Sequence, residues 1–240
     1  MPHAPLRALL LAAGRGERMR PLSDTCPKPL LRVRGRPLIE WHLLALAHAG
    51  VRDVVINTAW LEEQFPATLG DGARHGLRIH WQFEQRDFGQ ALETAGGIAT
   101  ALPVLAPNGD EPFWLVSSDI FAPGFEFDAD AAARFAEGDE LARLWLVPNP
   151  PFHPRGDFDL EAGTGRLRHR AEGPHRYTYA NIALARPGLV QGLPAGVRAP
   201  LGAFLFAAAD QGRLGGCVLT GEWHNVGSPD QLAALERRDR

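Results

Sequence analysis

RALLLAAGRGERMRPLSDTCPKPL, residues Arg7 to Leu30, decides how this chain is read. Ala8 to Leu11 is a short apolar run, the pattern of a strand buried on both faces. Small residues and a basic loop follow at once, as at the end of such a strand. Gly14 and Gly16 let backbone N–H groups approach a ligand closely. Arg15, Arg18, Arg20 and Lys28 surround them with positive charge. Pro27 and Pro29 hold Lys28 in a restrained, extended segment. The composition is that of an anion site, with phosphate the usual guest in α/β proteins. The same two glycines would also serve a plain tight turn. The dinucleotide fingerprint is incomplete, because Met19 stands where G-x-G-x-x-G requires its third glycine, and Lys28 is not in a Walker A loop.

The next segments set the fold class. Pro37 to Ala49, PLIEWHLLALAHA, has Leu38, Trp41, Leu44 and Ala45 at helical spacing, with Leu46 and Ala49 extending the face, Pro37 suited to the first turn and Gly50 to the stop. Val51 to Asn57 is strand-like. Strand, loop, helix and strand in that order form a βαβ unit and imply a mainly parallel sheet with helices on its faces. Further expected elements are a short helix at Trp60–Leu69, a strand at Leu77–Trp81, an irregular polar stretch at Gln82–Gln90 and a helix at Ala91–Leu102. A strand at Pro112–Val116 enters Ser117-Ser118-Asp119, and Asp128 is placed to cap a helix ending at Glu137. After a strand at Leu141–Val147 the pattern changes. Phe152 to Arg170 reads as a β-hairpin, Tyr177–Leu184 as a strand, Pro200–Asp210 as a helix, Leu214–Thr220 as a strand and Asp230–Arg237 as a terminal helix. No internal repeat or long linker divides residues 1–240, so a single domain is expected.

Composition narrows the function. With 240 residues, 45% apolar and 22% charged, the chain has the make-up of a globular protein. A net charge of −3 gives no general reason to bind nucleic acid or an anionic membrane. Cys26 and Cys217, the two cysteines, form no zinc-like or CxxC pattern and read as reduced thiols. The opening apolar stretch is too short for a signal peptide, and no run reaches the length of a membrane span, so a cytoplasmic location is expected.

Three polar clusters follow apolar strands, at residues 14–28, 117–119 and 222–225, where open α/β sheets gather ligands. Asp119 leaves a strongly apolar strand and is a candidate Mg²⁺ ligand. Asn225 offers a second hard oxygen, and Mg²⁺ commonly completes its shell with water and substrate phosphates. Arg18 and Lys28 are the candidates for neutralising charge at a transferring phosphorus centre. A phosphate nucleophile is already ionised and needs no general base. Each residue also has an ordinary structural reading: Asp119 as a cap, Asn225 as a turn residue, Glu93 as a surface helix position. His42 and His48 read as surface or half-buried helix positions, His153 and His169 support no metal site by spacing, and Trp41 and Trp81 read as core.

Together these stretches resemble the sugar-1-phosphate nucleotidyltransferase family. LAAGRGERMRP (11–21) and PKPL (27–30) are similar to its signature loop and the lysine that follows. PLIEWHLLALAHAGV, VVIN, LETAGG, the SSD at 117–119 and WHNVGSPDQL at 223–232 extend the likeness over almost the whole chain. The resemblance implies a Rossmann-like α/β fold with a central mixed, mainly parallel sheet and helices on both faces. It implies catalytic roles for Arg18, Lys28 and Asp119, and Mg²⁺ held by Asp119 and Asn225. Nucleotide contacts would come from Leu11, Ala12, Ala13, Gly14, Gly16, Lys28 and Gly96, and sugar contacts from Glu93, Asp157 and Asn181, with 149–185 as the sugar-binding region. NPPFHPRGDF, 149–158, resembles the branch that joins UTP to N-acetylmuramate 1-phosphate in peptidoglycan recycling. Those two small molecules are the implied substrates.

Ala95 replaces a glycine usual in close members, SSD stands where NGD is common, and Asn225 where aspartate is common. Residues 86–90 enlarge a loop expected near the sugar. Glucose 1-phosphate with UTP or dTTP, and mannose 1-phosphate with GTP, are therefore the alternatives. The chain ends soon after the Asn225 motif, so transferase chemistry without an appended acetyltransferase domain is expected. A binding protein without turnover is disfavoured by the presence of Arg18, Lys28 and Asp119, and an NAD-dependent oxidoreductase by Asn57 at the strand end. The sequence leaves the oligomeric state open.

Overall fold

The computed structural model describes residues 6–169 and 176–237. The chain begins with β1 (Arg7–Leu11), α1 (Leu22–Thr25), the short pair β2 (Arg32–Val33) and β3 (Arg36–Pro37), then α2 (Leu38–His48) and β4 (Asp53–Thr58). Next come α3 (Gln64–Leu69), β5 (Arg78–Phe83), α4 (Glu84–Phe88), α5 (Glu93–Leu105), β6 (Phe113–Ser117) and β7 (Ile120–Phe121). The second half holds α6 (Ala129–Glu137), β8 (Ala142–Val147), β9 (Phe158–Leu160), β10 (Leu167–Arg168) and β11 (Arg176–Ala185). It closes with α7 (Gly202–Asp210), β12 (Leu214–Val218), β13 (His224–Asn225) and α8 (Pro229–Arg237).

β1 lies between β4 and β6, parallel to both, and β5 extends the parallel set beyond β4. β11 runs antiparallel to β6 and carries β8 on its other edge, where β12 adds in parallel to β8. The sheet is therefore mixed and mainly parallel, as expected. Successive residues of β1 face opposite sides: Ala8 and Leu10 join one apolar cluster with Ile39, Leu43 and Phe135, and Leu9 joins another with Ile98, Leu105 and Leu205. The first cluster brings α2, α3 and α6 onto one face, and the second brings α5 and α7 onto the other. Ala8, Leu9 and Leu10 are each 0% exposed, and burying each leucine contributes about 1.5–3 kcal/mol.

Several local expectations are revised. The buried side of α2 is Leu38, Ile39, His42, Leu43 and Leu46; of the expected face Leu38 and Leu46 are buried, while Trp41, Leu44 and Ala45 are half-buried. The helix is apolar nearly all round, so packing against β1 and β4 selects the face. His42, expected at a surface or half-buried position, is buried and bonds the Ile120 carbonyl at 2.9 Å. Gln82–Gln90 is not irregular: it finishes β5 and forms α4. Pro66 is accommodated in α3 because it falls in the first turn, where no helical N–H is lost, and the helix begins at Gln64, later than the expected Trp60. The hairpin is real but shorter, with Leu167 opposite Leu160; Arg170, the last residue of its expected span, lies outside the described residues. Asp128 caps α6 through the Asp130 N–H at 2.8 Å. No helix among the described residues is long and apolar enough to cross a membrane.

Candidate active site

The carboxyl ends of β1, β4 and β6 open into a cavity of about 610 Å³ lined by Leu11 to Met19, Lys28, Asn57, Glu93, Thr94 and Ser117 to Asp119. A second cavity of about 540 Å³ is lined by His153, Asp157, Tyr179, Asn181, Trp223 and Asn225, among others. Leu11, Arg18, Thr94 and Ser117 line both, so the two halves meet there.

The loop after β1 is pinned at its root. The Ala12 N–H donates to the Asn57 carbonyl at 3.1 Å and to Asn57 Oδ1 at 3.0 Å. Ser118 N–H and hydroxyl both donate to the Leu11 carbonyl, tying the ends of β1 and β6 together. Gly16 has φ 66°, and a Cβ there would stand 3.2 Å from Lys28 Cβ, so glycine meets both a conformational and a steric demand. The Arg15 guanidinium stacks on Trp60 at 4.5 Å. Arg18 is exposed into the site, and none of its hydrogen bonds or ion pairs involves another described residue. A cation without a side-chain partner among the described residues, at the junction of two cavities, is suited to a polyanionic ligand.

Lys28 is 6% exposed and its Nζ lies 2.9 Å from Asp119 Oδ2. The two residues, 91 positions apart, are thus brought together. β7 and β13 then place Asn225 beside them: Asn225 pairs with Ile120, and the Val226 N–H donates to the Asp119 carbonyl at 3.1 Å. No group of three or more His, Cys, Asp or Glu among the described residues could cage a metal. Asp119 lines the first cavity and Asn225 the second, and each carries a hard oxygen of the type Mg²⁺ takes beside water and phosphate ligands. His42 lies under this ladder, and burial lowers its pKa to about 4, so at neutral pH it is an uncharged donor to the Ile120 carbonyl.

A buried carboxylate that the sequence reading missed sits behind the first cavity. Glu84 is 0% exposed. Its Oε1 accepts Asn57 Nδ2 at 2.7 Å and Gln82 Nε2 at 3.1 Å, and its Oε2 accepts the Leu92 N–H at 2.7 Å. Burial raises its pKa, and these three donors oppose the rise. Through Asn57 it reaches Ala12, and through Leu92 the segment opposite. Nothing in the polar stretch 82–90 marks Glu84 from its neighbours, because its burial depends on β4 and α5 lying over it.

The other predicted residues divide. Ala13 and Gly14 line the first cavity as expected. Gly96 lines neither. A Cβ there would meet the Val197 carbonyl at 2.3 Å, and its N–H donates to the Ala199 carbonyl at 3.2 Å, so it packs under the 197–199 segment. Ala95 is 0% exposed, within the apolar cluster under α5, and does not face the sugar side. Glu93, expected on the sugar side, lines the first cavity and pairs with Arg198 at 2.6 Å. Asp157 and Asn181 line the second cavity. Glu93 (φ 59°) and Asn181 (φ 62°) both hold left-handed backbone, strain of the kind that concentrates at ligand sites. Residues 86–90 line neither cavity.

Comparison with known proteins agrees with this arrangement. A uridylyltransferase from Neisseria meningitidis serogroup B, named N-acetylmuramate alpha-1-phosphate uridylyltransferase, is 43% identical over 95% of each chain. A protein of the same name from Caulobacter vibrioides is 33% identical over 99% of this chain and 98% of its own. A solved structure from Bacillus anthracis, described as a glucose-1-phosphate thymidylyltransferase, superposes with a TM-score of 0.79 over 99% of this chain and 96% of that one, at 17% identity. It shares the fold. The nucleotidyl transferase family profile matches residues 7–183, a span that takes in the glycine loop, Lys28, Asp119 and the strands that bring them together. The chain is a member of the nucleotidyl transferase family, and so an enzyme of nucleotide transfer.

Proposed function

We propose that this enzyme transfers UMP from UTP to N-acetyl-α-muramic acid 1-phosphate, giving UDP-N-acetylmuramate and pyrophosphate. The observation that carries the reading is Arg18, a cation without a protein partner among the described residues, at the junction of two cavities. The triphosphate occupies the first cavity and the sugar phosphate the second. An oxygen of the sugar phosphate attacks the α-phosphorus, the new P–O bond forms, and the α–β bridge breaks with its electrons leaving on pyrophosphate. The nucleophile is an ionised phosphate, so no side chain removes a proton.

The protein contributes orientation and charge. Backbone N–H groups of Ala13 to Gly16 hold the outer phosphates, and Leu11 and Ala12 lie against the nucleoside. Arg18 and Lys28 neutralise charge that builds on the reacting oxygens. Asp119 and Asn225 would hold Mg²⁺, which would supply charge screening at the phosphates. Asn181 and the hairpin region 149–185 hold the sugar within one nucleotidyltransferase domain spanning residues 1–240. The enzyme works in the cytoplasm on two small molecules, without nucleic acid or membrane.

The test is a matrix of UTP, dTTP and GTP against the 1-phosphates of N-acetylmuramate, glucose and mannose with Mg²⁺, read by pyrophosphate release. The expected best pair is UTP with N-acetylmuramate 1-phosphate. Inertness of that pair while another turns over refutes the assignment.

A further inference from the structure

The second cavity has few groups able to bear positive charge. Among its described lining residues these are Arg18, at the junction with the phosphate side, and His153. Its wall is otherwise rich in apolar surface, including Phe152 and Phe206, which are 52% and 42% exposed. The substrate in the proposed reaction carries a phosphate, two methyl-bearing substituents and a lactyl carboxylate. Arg18 answers the phosphate and the exposed rings suit the methyl groups. The carboxylate needs a donor of its own, because leaving it unpaired in a partly apolar cavity is costly.

His153 is built into a fixed loop. Its N–H donates to the Pro150 carbonyl at 2.8 Å, and Asn149 ties the loop to β11 through Thr178 Oγ1 at 3.0 Å. Gly156 (φ 58°) closes it, where a Cβ would strike Asn149 Oδ1 at 2.5 Å. The ring Nε2 lies 3.0 Å from Asp157 Oδ1. Asp157 Oδ2 accepts the Tyr179 N–H at 2.8 Å. Both oxygens of Asp157 therefore serve the protein, and Asp157 orients the His153 ring while it lines the same cavity. Nδ1 of His153 hydrogen-bonds to no described residue.

Resting on the muramate reading above, we propose that His153 receives the carboxylate of the sugar phosphate, with Asp157 as its positioning residue. The ring stands between two acceptors, with Nε2 toward Asp157 and Nδ1 toward the substrate carboxylate. His153 thereby sets a preference for a carboxyl-bearing sugar over the same amino sugar without its lactyl ether.

The experiment compares wild type, His153→Gln, His153→Lys and Asp157→Asn with UTP, Mg²⁺ and either N-acetylmuramate 1-phosphate or N-acetylglucosamine 1-phosphate. Removing one charged hydrogen bond predicts that His153→Gln shifts the ratio of the two sugars' KM values by about 10- to 100-fold against the muramate. KM for UTP moves far less. His153→Lys restores most of the preference, and Asp157→Asn shifts the ratio in the same direction as His153→Gln. A ratio unchanged in His153→Gln, in a protein whose melting temperature is also unchanged, overturns the role of His153. A lysine variant no better than glutamine overturns it as well. Wild type that favours the sugar without a carboxylate overturns the muramate reading itself, which separates the two failures.

Discussion

Replacing Glu84 by glutamine probes the first cavity through Asn57 without substituting a residue that lines it. The side chain keeps its shape, loses its charge and exchanges one acceptor for a donor. With the new NH₂ at the Oε2 position it faces the Leu92 N–H; turned the other way, it faces the amides of Asn57 and Gln82. Asn57 cannot simply flip in response, because its Oδ1 already accepts the Ala12 N–H. One charge-assisted bond is lost, worth about 1.5–3 kcal/mol, and a buried donor is left unpaired at about 1–3 kcal/mol. Relief from burying a charge acts in the opposite direction, leaving a net loss of about 2–4 kcal/mol. For a chain of this size that lowers Tm by about 5–15 °C. Ala12 and Leu92 lose a shared anchor, so KM for UTP rises about tenfold while KM for the sugar phosphate hardly changes. Calorimetry and initial rates with each substrate varied are the assays. An unchanged Tm, or a rise confined to the sugar phosphate KM, refutes the clamp.

Four further outcomes are expected. Asp119→Asn keeps an acceptor for Lys28 Nζ and stays folded, yet Mg²⁺-dependent turnover falls by about two orders of magnitude or more; near-normal pyrophosphate release removes Asp119 from the site. His42 has its pKa lowered from 6.5 to about 4 by burial, so its contribution is intact above pH 6.5 and is lost as pH falls toward the native value. Urea titrations without divalent ion therefore show wild type losing up to about 3 kcal/mol over that interval that His42→Gln does not lose. Gly97→Ala places a Cβ 2.8 Å from Asn57 Nδ2 and 3.1 Å from Glu84 Oε1, costing about 1–3 kcal/mol by chemical denaturation. Gly14→Ala meets nothing within 4 Å and changes stability by less than about 0.5 kcal/mol.

The parts of this enzyme that could be read early are those whose physics is local. An apolar run at Ala8–Leu11 must be buried, Gly16 must accept a left-handed turn, and Asp128 can cap the helix that starts beside it. Their order implied a mainly parallel sheet, and the motif resemblance pointed to nucleotide transfer. Where local signals were degenerate the reading slipped. α2 is apolar on nearly every side, so its sequence did not choose the face that β1 and β4 select. The stretch 82–90 is polar because Glu84 is buried with partners while its neighbours in α4 are exposed, and polarity alone does not distinguish these cases.

Residues 7–30, taken by themselves, determined a strand, a glycine loop and a cationic cluster, because those properties belong to neighbouring residues. The tertiary fold alone decided that Lys28 meets Asp119 and that Asn225 arrives beside them on the β7–β13 ladder. It also moved Gly96 under the 197–199 segment, and turned Asp157 toward His153 and the Tyr179 amide. Partners such as Lys28 and Asp119 are set by strand register and packing over long chain separations, and no short stretch of sequence contains both sides of that contact.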